Sequence, residues 1–350
     1  MISFRPGLNA LLARLGRSAP DLASRAEITE VEPGGVQTVP PAICLPGMME
    51  RMRSTEFAEP PQVLKHFAGG FDAPQPPTLS LRLKDVDLAD GVLYAAGAAR
   101  HMRPRSHRRP WYGSLPDLGR GTMYETWVGN SYFGNWLAED CLTAILAERM
   151  ADSPIVTTRP QPQGHMIDYQ ARLGMTPRHV TEGHFDELTL LEDHSAHAAL
   201  QARAAEQRRR LIDGVDASPH PGVFILRGTS GSLRALADER QIAERLAHAR
   251  GLTIVDVRQD DAATIIAVCA GARVAVGVEG SHLAHALVSM PPGAGLLTIH
   301  PPDRVTGGLK LMTDRRFQHY GILIGTGTAE HFAVEEDELL ATFDIMAEAA

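Results

Sequence analysis

The sequence predicts an α/β fold, and two alternating patterns carry this prediction. Short apolar segments, such as 223–226 and 296–299, recur through the C-terminal part, and amphipathic segments of helical spacing, such as 238–250, separate them. Strands that are apolar on both faces require helices on both faces of a parallel sheet. Since crossover connections are right-handed, these segments predict one doubly wound, Rossmann-like domain.

Length and turn composition predict two domains. A chain of 350 residues suits two hydrophobic cores better than one. The segment 213–221 (DGVDASPHP) is polar and turn-rich, and we take it as a linker. The predicted domains are therefore 1–216 and 217–350. Closely spaced prolines prevent long helices in 1–78, which we expect to be an irregular segment draped over a domain.

Each element follows from its periodicity. In the first domain, apolar runs at 79–83 and 91–95 flank a turn and predict a β-hairpin. The remaining predictions there are helices over 137–150, around 167–173 and over 197–211, with strands over 153–158 and 187–191. In the second domain they are strands over 223–226, 253–257, 273–278, 296–299 and 322–324, with helices over 238–250, 262–270, 281–290, 309–319 and 335–347. The last helix carries an apolar stripe at Leu339, Leu340, Phe343 and Met346, so we expect it to be buried.

Composition excludes several classes of protein. The formal net charge of -8 argues against general nucleic-acid binding. The longest apolar runs are far shorter than a membrane span. Three widely spaced cysteines offer neither a zinc ligand set nor a disulfide framework. Since no secretory signal pattern is present, we expect a cytoplasmic location.

The segment 5–17 has leucines at helical spacing, at positions 8, 11, 12 and 15, among arginines at positions 5, 14 and 17. A basic amphipathic helix can lie on a membrane surface, here the inner membrane surface. The favoured interpretation is a helix whose apolar stripe packs on its own protein.

The loop 227–234 (RGTSGSLR) directly follows a predicted buried strand. Ligands of open α/β sheets bind beyond the carboxyl ends of the strands. Its glycines and hydroxyls could offer donors to phosphate oxygens, and Arg227 and Arg234 add charge-assisted contacts. An ordinary flexible loop with surface arginines is the alternative.

A second loop, Gly277 to Ala284, follows the next strand along the sequence. Gly280 permits close approach, and Ser281 can cap the following helix, whose first N–H groups favour an anion. Glu279 instead suits ribose or sugar hydroxyls, or a pair with Arg227. His282 is more simply interpreted as a structural histidine.

Other signals are weak. The loop 300–308, with Arg304 and two glycines, fits a ligand flap or an ordinary loop equally. Asp85-Val-Asp87 matches a metal-nucleotide pattern, but it lies in the predicted hairpin at solvent-facing positions. The sequence contains no HExxH, GxGxxG or GxSxG, so zinc-protease, dinucleotide and hydrolase predictions lack support.

Four segments, in order, resemble the motifs of one family. They are GNSYFGNWLAEDCLTAI (129–145), VFILRG with LRALADERQI (223–242), GVEGSHLAHALVSMPPG (277–293) and GLLTIHPP (295–302). Together they resemble glycosyltransferase family 61, whose bacterial members are often labelled capsular polysaccharide biosynthesis proteins. Three positions depart from its pattern: Asp238 replaces an asparagine, and Glu279 and Asn135 stand where the family has histidines. The last two indicate either altered specificity or lost activity.

The resemblance implies a GT-B-like fold, with two Rossmann-like domains facing across a cleft and the closing helix against the N-terminal half. It assigns 1–216 to the acceptor side and 217–350 to nucleotide-sugar binding. It also implies an inverting hexosyl- or pentosyltransferase with no cofactor and no obligatory metal, a uridine diphosphate sugar as donor and a glycan or polysaccharide acceptor. The implied donor-binding residues are Arg227, Gly228, Arg234, Glu239, Gly277, Gly280, Ser281 and His282.

The catalytic base should come from the N-terminal half, where Asp140 and Glu139 at a helix start are the candidates. Glu279 is a third candidate catalytic carboxylate. Two alternatives stay open: a non-catalytic family member acting as a scaffold in polysaccharide assembly, and another Rossmann-type enzyme, such as an epimerase or an oxidoreductase.

Overall fold

The computed structural model describes residues 2–193, 195–228 and 234–350. The strands of this described part are β1 (Glu27–Glu32), β2 (Gly35–Val39), β3 (Phe71–Gln75), β4 (Thr78–Ala89), β5 (Val92–Ala95), β6 (Ala98–His101), β7 (Asp117–Met123), β8 (Ile155–Thr157), β9 (Arg178–His179), β10 (Gly183–Glu192), β11 (His220–Leu226), β12 (Thr253–Asp256), β13 (Ala272–Val278), β14 (Gly295–His300), β15 (His319–Ile324), β16 (Thr326–Thr328) and β17 (His331–Ala333).

The α-helices of the same residues are α1 (Arg5–Arg14), α2 (Pro60–Ala68), α3 (Trp127–Ser131), α4 (Phe133–Asn135), α5 (Cys141–Met150), α6 (His165–Leu173), α7 (Ala198–Leu211), α8 (Glu239–Arg250), α9 (Ala262–Ala270), α10 (Ala284–Ser289), α11 (Gly308–Asp314) and α12 (Glu336–Ala349). Short 3₁₀ turns cover Leu22–Arg25, Met49–Arg51 and Ser281–Leu283, and a π-helical turn covers Trp136–Asp140. No described helix has the length and apolar character needed to cross a membrane.

Two compact units divide the chain. Residues 1–34 with 76–195 form the first unit, and residues 35–75 with 196–350 form the second. This division differs from the predicted boundary at 216/217. The predicted linker 213–221 joins α7 to β11 inside the second unit, because turn-rich composition marks loops within a domain as readily as loops between domains.

Backbone and side-chain hydrogen bonds explain why residues 35–75 and helix α7 belong to the second unit. The backbone of Ile43 pairs with β15, with Ile43 N donating to Tyr320 O at 2.8 Å. Arg208 of α7 donates to the backbone carbonyls of Ser289 at 3.0 Å and Ala270 at 3.0 Å. The proline-rich region is therefore not a single draped segment, since 35–75 adds a strand pair and a helix to the second unit.

The sheet of the first unit is mixed. Among the described residues its strand order is β6-β5-β4-β10-β7-β8-β9, and β1 also pairs with β4. The pairs β10–β7, β7–β8 and β8–β9 are parallel, and the others are antiparallel. The predicted hairpin is confirmed as β4 and β5, which meet at the turn Asp90–Gly91. A Rossmann-like sheet is all parallel, so that part of the prediction is wrong for this unit.

The sheet of the second unit is parallel throughout, as predicted. Its strand order in the described part is β12-β11-β13-β14-β15. Leu226 pairs with Asp256, and Val278 pairs with Ile299, so these strands end at the same edge. The loops that follow β11, β12, β13 and β14 therefore leave the sheet side by side.

The closing helix α12 buries the stripe that the sequence predicts. Leu339, Phe343 and Met346 are at most 3% exposed. Helix α12 packs on β13, β14 and β15 of its own unit, and Gly295 and Gly321 leave room for the Met346 side chain. The predicted burial is confirmed. The sheet of the second unit accounts for this burial, so the apolar stripe can be explained without any packing against the N-terminal half.

Helix α1 contradicts the favoured interpretation of its sequence. The helix forms, but Leu8, Leu11 and Leu15 are all more than half exposed. The buried residue of α1 is Pro6. Apart from Leu12, which is half-buried, the leucine stripe therefore does not pack on the protein itself.

The fold predicts that α12 holds the second unit together. Phe343→Ala should lower the free energy of unfolding by roughly 3 to 5 kcal/mol, because it removes a buried aromatic ring from the face against the sheet. Urea unfolding followed by circular dichroism measures the change. Ile345→Ala on the exposed side of the same helix, where Ile345 is 39% exposed, is the control. Equal destabilisation by both changes would contradict the packing described above.

Candidate active site

The strand end of β11 is held by a carboxylate on the following helix. Glu239, the first residue of α8, accepts hydrogen bonds from the backbone N–H groups of Arg227 at 2.7 Å and Gly228 at 2.8 Å. Gly228 has a φ of 58°, a left-handed conformation that favours glycine. This carboxylate fixes where the Arg227 side chain starts. Residues 229–233, to which we assigned phosphate donors, lie outside the described residues.

Arg227 and Arg234 converge on Glu279 at the end of β13. Arg227 Nη1 donates to the Glu279 backbone oxygen at 3.0 Å, and Arg234 Nη2 lies 2.9 Å from the Glu279 carboxylate. All three residues are less than 10% exposed. Since β11 and β13 are adjacent parallel strands, the two loops singled out in the sequence meet at one edge of the sheet. The Glu279 carboxylate pairs with Arg234 and not with Arg227, the partner that the sequence suggested, because Arg227 donates to the Glu279 backbone oxygen instead.

Two glycines allow this close approach. A Cβ at Gly280 would overlap Arg227 Nη1, and a Cβ at Gly277 would lie 2.7 Å from the Ile225 carbonyl oxygen. Gly280 is therefore a steric requirement for the position of Arg227, and its predicted contact with the donor stays a prediction. The predicted cap by Ser281 is wrong, because Gly280 occupies the N-cap position of the 3₁₀ turn and has no side chain to accept a hydrogen bond.

Glu56 also belongs to this cluster, and no sequence pattern pointed to it. Its carboxylate accepts from Arg304 Nε at 2.6 Å and Nη2 at 2.5 Å, and it forms an ion pair with Arg234 at 3.2 Å. Thr306 Oγ1 donates to Glu279 at 3.3 Å. The loop 300–308 is thus tied to the cluster by Arg304 and Thr306, and we name the group Arg227, Arg234, Arg304, Glu56 and Glu279 the arginine cluster.

A further arginine stands beside Gly228. Arg258, in the loop after β12, places its guanidinium 3.1 Å from the position of a Cβ at Gly228, and Asp256 holds it by an ion pair at 3.2 Å. Four arginines therefore gather at the carboxyl ends of the parallel strands, balanced by nearby acids. Within the described residues, Arg234 Nε is buried without a hydrogen-bond partner.

Burial sets the protonation of this region. It raises the pKa of Glu279, against the opposing effect of Arg234 and Arg227. Burial, together with Arg227 and Arg234, lowers the pKa of His282 to about 3, although the Ile225 carbonyl opposes the shift. His300 at the end of β14 also has a pKa of about 3, because of burial and then Arg234. Both histidines are neutral at physiological pH, so the arginines provide the positive charge.

The two candidate bases in the first unit have different surroundings. Asp140 is 1% exposed and accepts a hydrogen bond from Thr126 Oγ1 at 2.9 Å. Its carboxylate lies so close to Gly129 that a Cβ at that position would overlap it. Burial raises the pKa of Asp140 well above its ordinary value. Glu139 is half-buried and accepts from Asn135 Nδ2 at 2.6 Å. Of the two, the Glu139 carboxylate is the more accessible to a ligand.

The Asp85-Val-Asp87 pattern in β4 serves a structural purpose in the described residues. Asp87 is 2% exposed and accepts from Ser3 Oγ at 2.5 Å, and it lies 2.8 Å from His184 Nδ1. Asp85 pairs with Arg5 at 2.5 Å. The prediction that both acids face solvent is wrong for Asp87.

The family model described as Glycosyltransferase 61 matches residues 133–297, which includes Arg227, Arg234 and Glu279. No curated protein matches the chain. Among solved structures, a glycosyl transferase of family 9 from Veillonella parvula DSM 2008 is similar, with 7% identity, a TM-score of 0.34, and coverage of 68% of this chain and 99% of that one. At that TM-score no property of that protein is carried over.

The arginine cluster predicts a specific effect at Glu56. Glu56→Ala should lower the free energy of unfolding by about 1 to 3 kcal/mol, since Arg234 and Arg304 lose their shared carboxylate. Pyrophosphate should stabilise this variant more than the wild type, because an anion can take the vacated place. Urea unfolding with and without pyrophosphate measures both effects. Glu59→Ala, an exposed acid on the same segment, is the control. Equal gains from pyrophosphate in the two variants would show that Glu56 does not occupy an anion site.

Asp140 predicts a pH dependence. Its ordinary pKa of 3.8 is raised in the native protein, so above pH 3.8 the native state keeps a proton that the unfolded state has lost. Stability contributed by this residue therefore falls as the pH rises through that window. Asp140→Asn should flatten the fall, since a neutral amide oxygen still accepts from Thr126. Urea unfolding across the acid range tests this, with exposed Asp186→Asn as control. Parallel profiles for wild type and Asp140→Asn would refute the shift.

Proposed function

Because the chain is a glycosyltransferase with a family 61 domain, we propose that it transfers a sugar from a nucleoside diphosphate donor, a uridine diphosphate sugar, to a hydroxyl of a glycan or polysaccharide acceptor. The observation that carries the proposal is the arginine cluster at the carboxyl ends of β11 and β13. Diphosphate binding needs convergent, charge-assisted donors, and arginine presents them in a planar fork.

The proposed reaction is a single displacement with inversion. The acceptor oxygen attacks the anomeric carbon, the bond from that carbon to the diphosphate oxygen breaks with its electron pair, and the acceptor proton passes to a base. Negative charge grows on the leaving diphosphate, and donors already in place stabilise it. Arg227 and Arg234 suit this task, because Glu239 and Gly280 fix the position of Arg227, and Glu279 fixes that of Arg234. We propose that guanidinium groups thus neutralise the charge, with no obligatory metal.

The remaining site residues are assigned by their surroundings. Both carboxylate oxygens of Glu239 accept hydrogen bonds from backbone N–H groups, so we propose that Glu239 shapes the loop that follows β11. Glu279 lies between two arginines, so it can orient them or accept from a ribose or sugar hydroxyl. Neutral His282 can contribute hydrogen bonds only. As catalytic base we propose Glu139 rather than Asp140, because a general base must reach the acceptor hydroxyl. The GT-B-like cleft and the cytoplasmic location stay predictions.

Nucleotide binding separates this proposal from its alternatives. Calorimetry with uridine, guanosine and nicotinamide nucleotides should show heat with uridine diphosphate. Binding of nicotinamide dinucleotide would support an oxidoreductase. The absence of binding heat with every one of these nucleotides would support the scaffold. The scaffold is the stronger rival, because Glu279 and Asn135 replace residues of the family pattern.

Arg227→Ala should reduce transfer by about a hundredfold to a thousandfold, the usual effect of losing one donor to a developing charge. Turnover of the donor identified by calorimetry, followed as release of uridine diphosphate, measures the loss. Arg245→Ala is the matched control, since Arg245 is an exposed arginine of α8 paired with Glu336. Circular dichroism should be the same for both variants. Near-normal turnover of Arg227→Ala would exclude this residue from the donor site.

A further inference from the structure

Six large apolar side chains of the first unit are exposed together near the start of the chain. They are 53% to 67% exposed, and we name them the N-terminal patch: Ile2, Phe4, Leu8, Leu11, Leu15 and Trp111. Isolated exposed apolar residues are normal on a protein surface. A cluster of this size on one short helix and its neighbour marks an interaction surface.

Trp111 joins the patch because its loop pairs with the segment before α1. Ser3 and Tyr112 exchange two backbone hydrogen bonds, each of 3.0 Å. A Cβ at Gly7 would overlap the Pro110 carbonyl oxygen, so α1 lies directly against this loop. Both segments are held firmly: Ser3 donates to Asp87, and the Asp90 carboxylate accepts from backbone N–H groups at 106–108. The patch is thus a built surface.

The charge around the patch is opposite to that of the chain. The whole protein has a formal net charge of -8. Neither 2–20 nor 99–116 contains an aspartate or glutamate, whereas the two segments carry arginines at positions 5, 14, 17, 100, 103, 105, 108 and 109. Of these, Arg14, Arg17, Arg108 and Arg109 are exposed and make no ion pair with any described residue. Arginines without an ion pair to any described residue therefore border the exposed apolar side chains.

We propose that the N-terminal patch binds the surface of a membrane that contains anionic lipid, with α1 lying in the plane of the interface. A helix with leucines on one side and arginines beside them binds in this way, and tryptophan favours the depth of the lipid headgroups. Arginines near an anionic surface add attraction that falls off within a Debye length. A soluble polyanion would use the arginines but would leave the apolar side chains in water. The N-terminal patch and the arginine cluster share no residue, so the inference does not depend on the proposed function.

Sedimentation with lipid vesicles tests the proposal on the full chain. The protein should sediment with vesicles of phosphatidylcholine and phosphatidylglycerol, should bind poorly to phosphatidylcholine alone, and should be partly released by salt. The double variant Arg14→Glu/Arg17→Glu should bind at least tenfold more weakly, since each arginine near such a surface contributes about fivefold. The double variant Leu8→Ser/Leu11→Ser should also lose binding. All four side chains are exposed, so both variants should fold.

Controls match each change in exposure and unit. Ile167→Ser replaces a residue of α6 that is 54% exposed, as Leu11 is, and Arg178→Glu reverses an exposed charge. Neither should alter vesicle binding. Brominated lipids should quench the wild type more than Trp111→Phe, which isolates the Trp111 emission.

Three results would overturn the proposal. One is wild-type protein that stays in the supernatant with anionic vesicles. Another is loss of binding in the arginine variant but not in the serine variant, which would indicate a polyanion as ligand. The third is a dimer, seen in analytical ultracentrifugation, that the serine variant abolishes while vesicles are not bound.

Discussion

Buried guanidinium groups need acceptors around them, and this requirement governs the second unit. Arg227 and Arg234 can sit below the surface because the Glu279 carbonyl and carboxylate lie within reach. That proximity requires β11 and β13 to be adjacent and parallel, and it requires glycine at 280. If this register were lost, the arginine charges would stay buried without their partners. An unpaired buried charge costs far more free energy than a surface ion pair contributes. The order of the strands in the sheet and the geometry of the arginine cluster therefore depend on each other.

The Glu279 carboxylate makes the burial of two neighbouring arginines tolerable. Where the resemblance to family 61 implies a histidine, this chain has a carboxylate that burial makes harder to ionise and that Arg234 and Arg227 help to keep charged. His282, three residues further along the chain in the same field, is held neutral. A histidine at 279 would meet the same positive neighbours. A neutral imidazole would offer the arginines no counter-charge, whereas the Glu279 carboxylate attracts both of them.

What could be read from sequence depended on local periodicity. The strands and helices from β11 to α12 follow apolar patterns, so their parallel order and the meeting of Arg227 with Glu279 were predictable. Glu56 was not, because it lies in a proline-punctuated segment without periodicity, and its partners Arg234 and Arg304 are 178 and 248 positions away. The mixed sheet of the first unit was missed because β4 was seen only in part. The exposure of α1 could not be decided, since a stripe of leucines does not specify what covers it.

The chain crosses between its units more than once, and this connectivity affects synthesis on the ribosome. Residues 35–75 emerge early, but Arg304, the partner of Glu56, and β15, the partner of Ile43, emerge near the end. The second unit thus cannot complete its core until translation is nearly finished. Its early segment can form the β2–β3 pair but lacks its later partners while the first unit is made. Contacts so distant in sequence slow folding and expose a nascent chain to aggregation. Expression of the second unit from residue 196 onward would also omit Glu56, so a useful fragment would need 35–75 supplied as a separate piece.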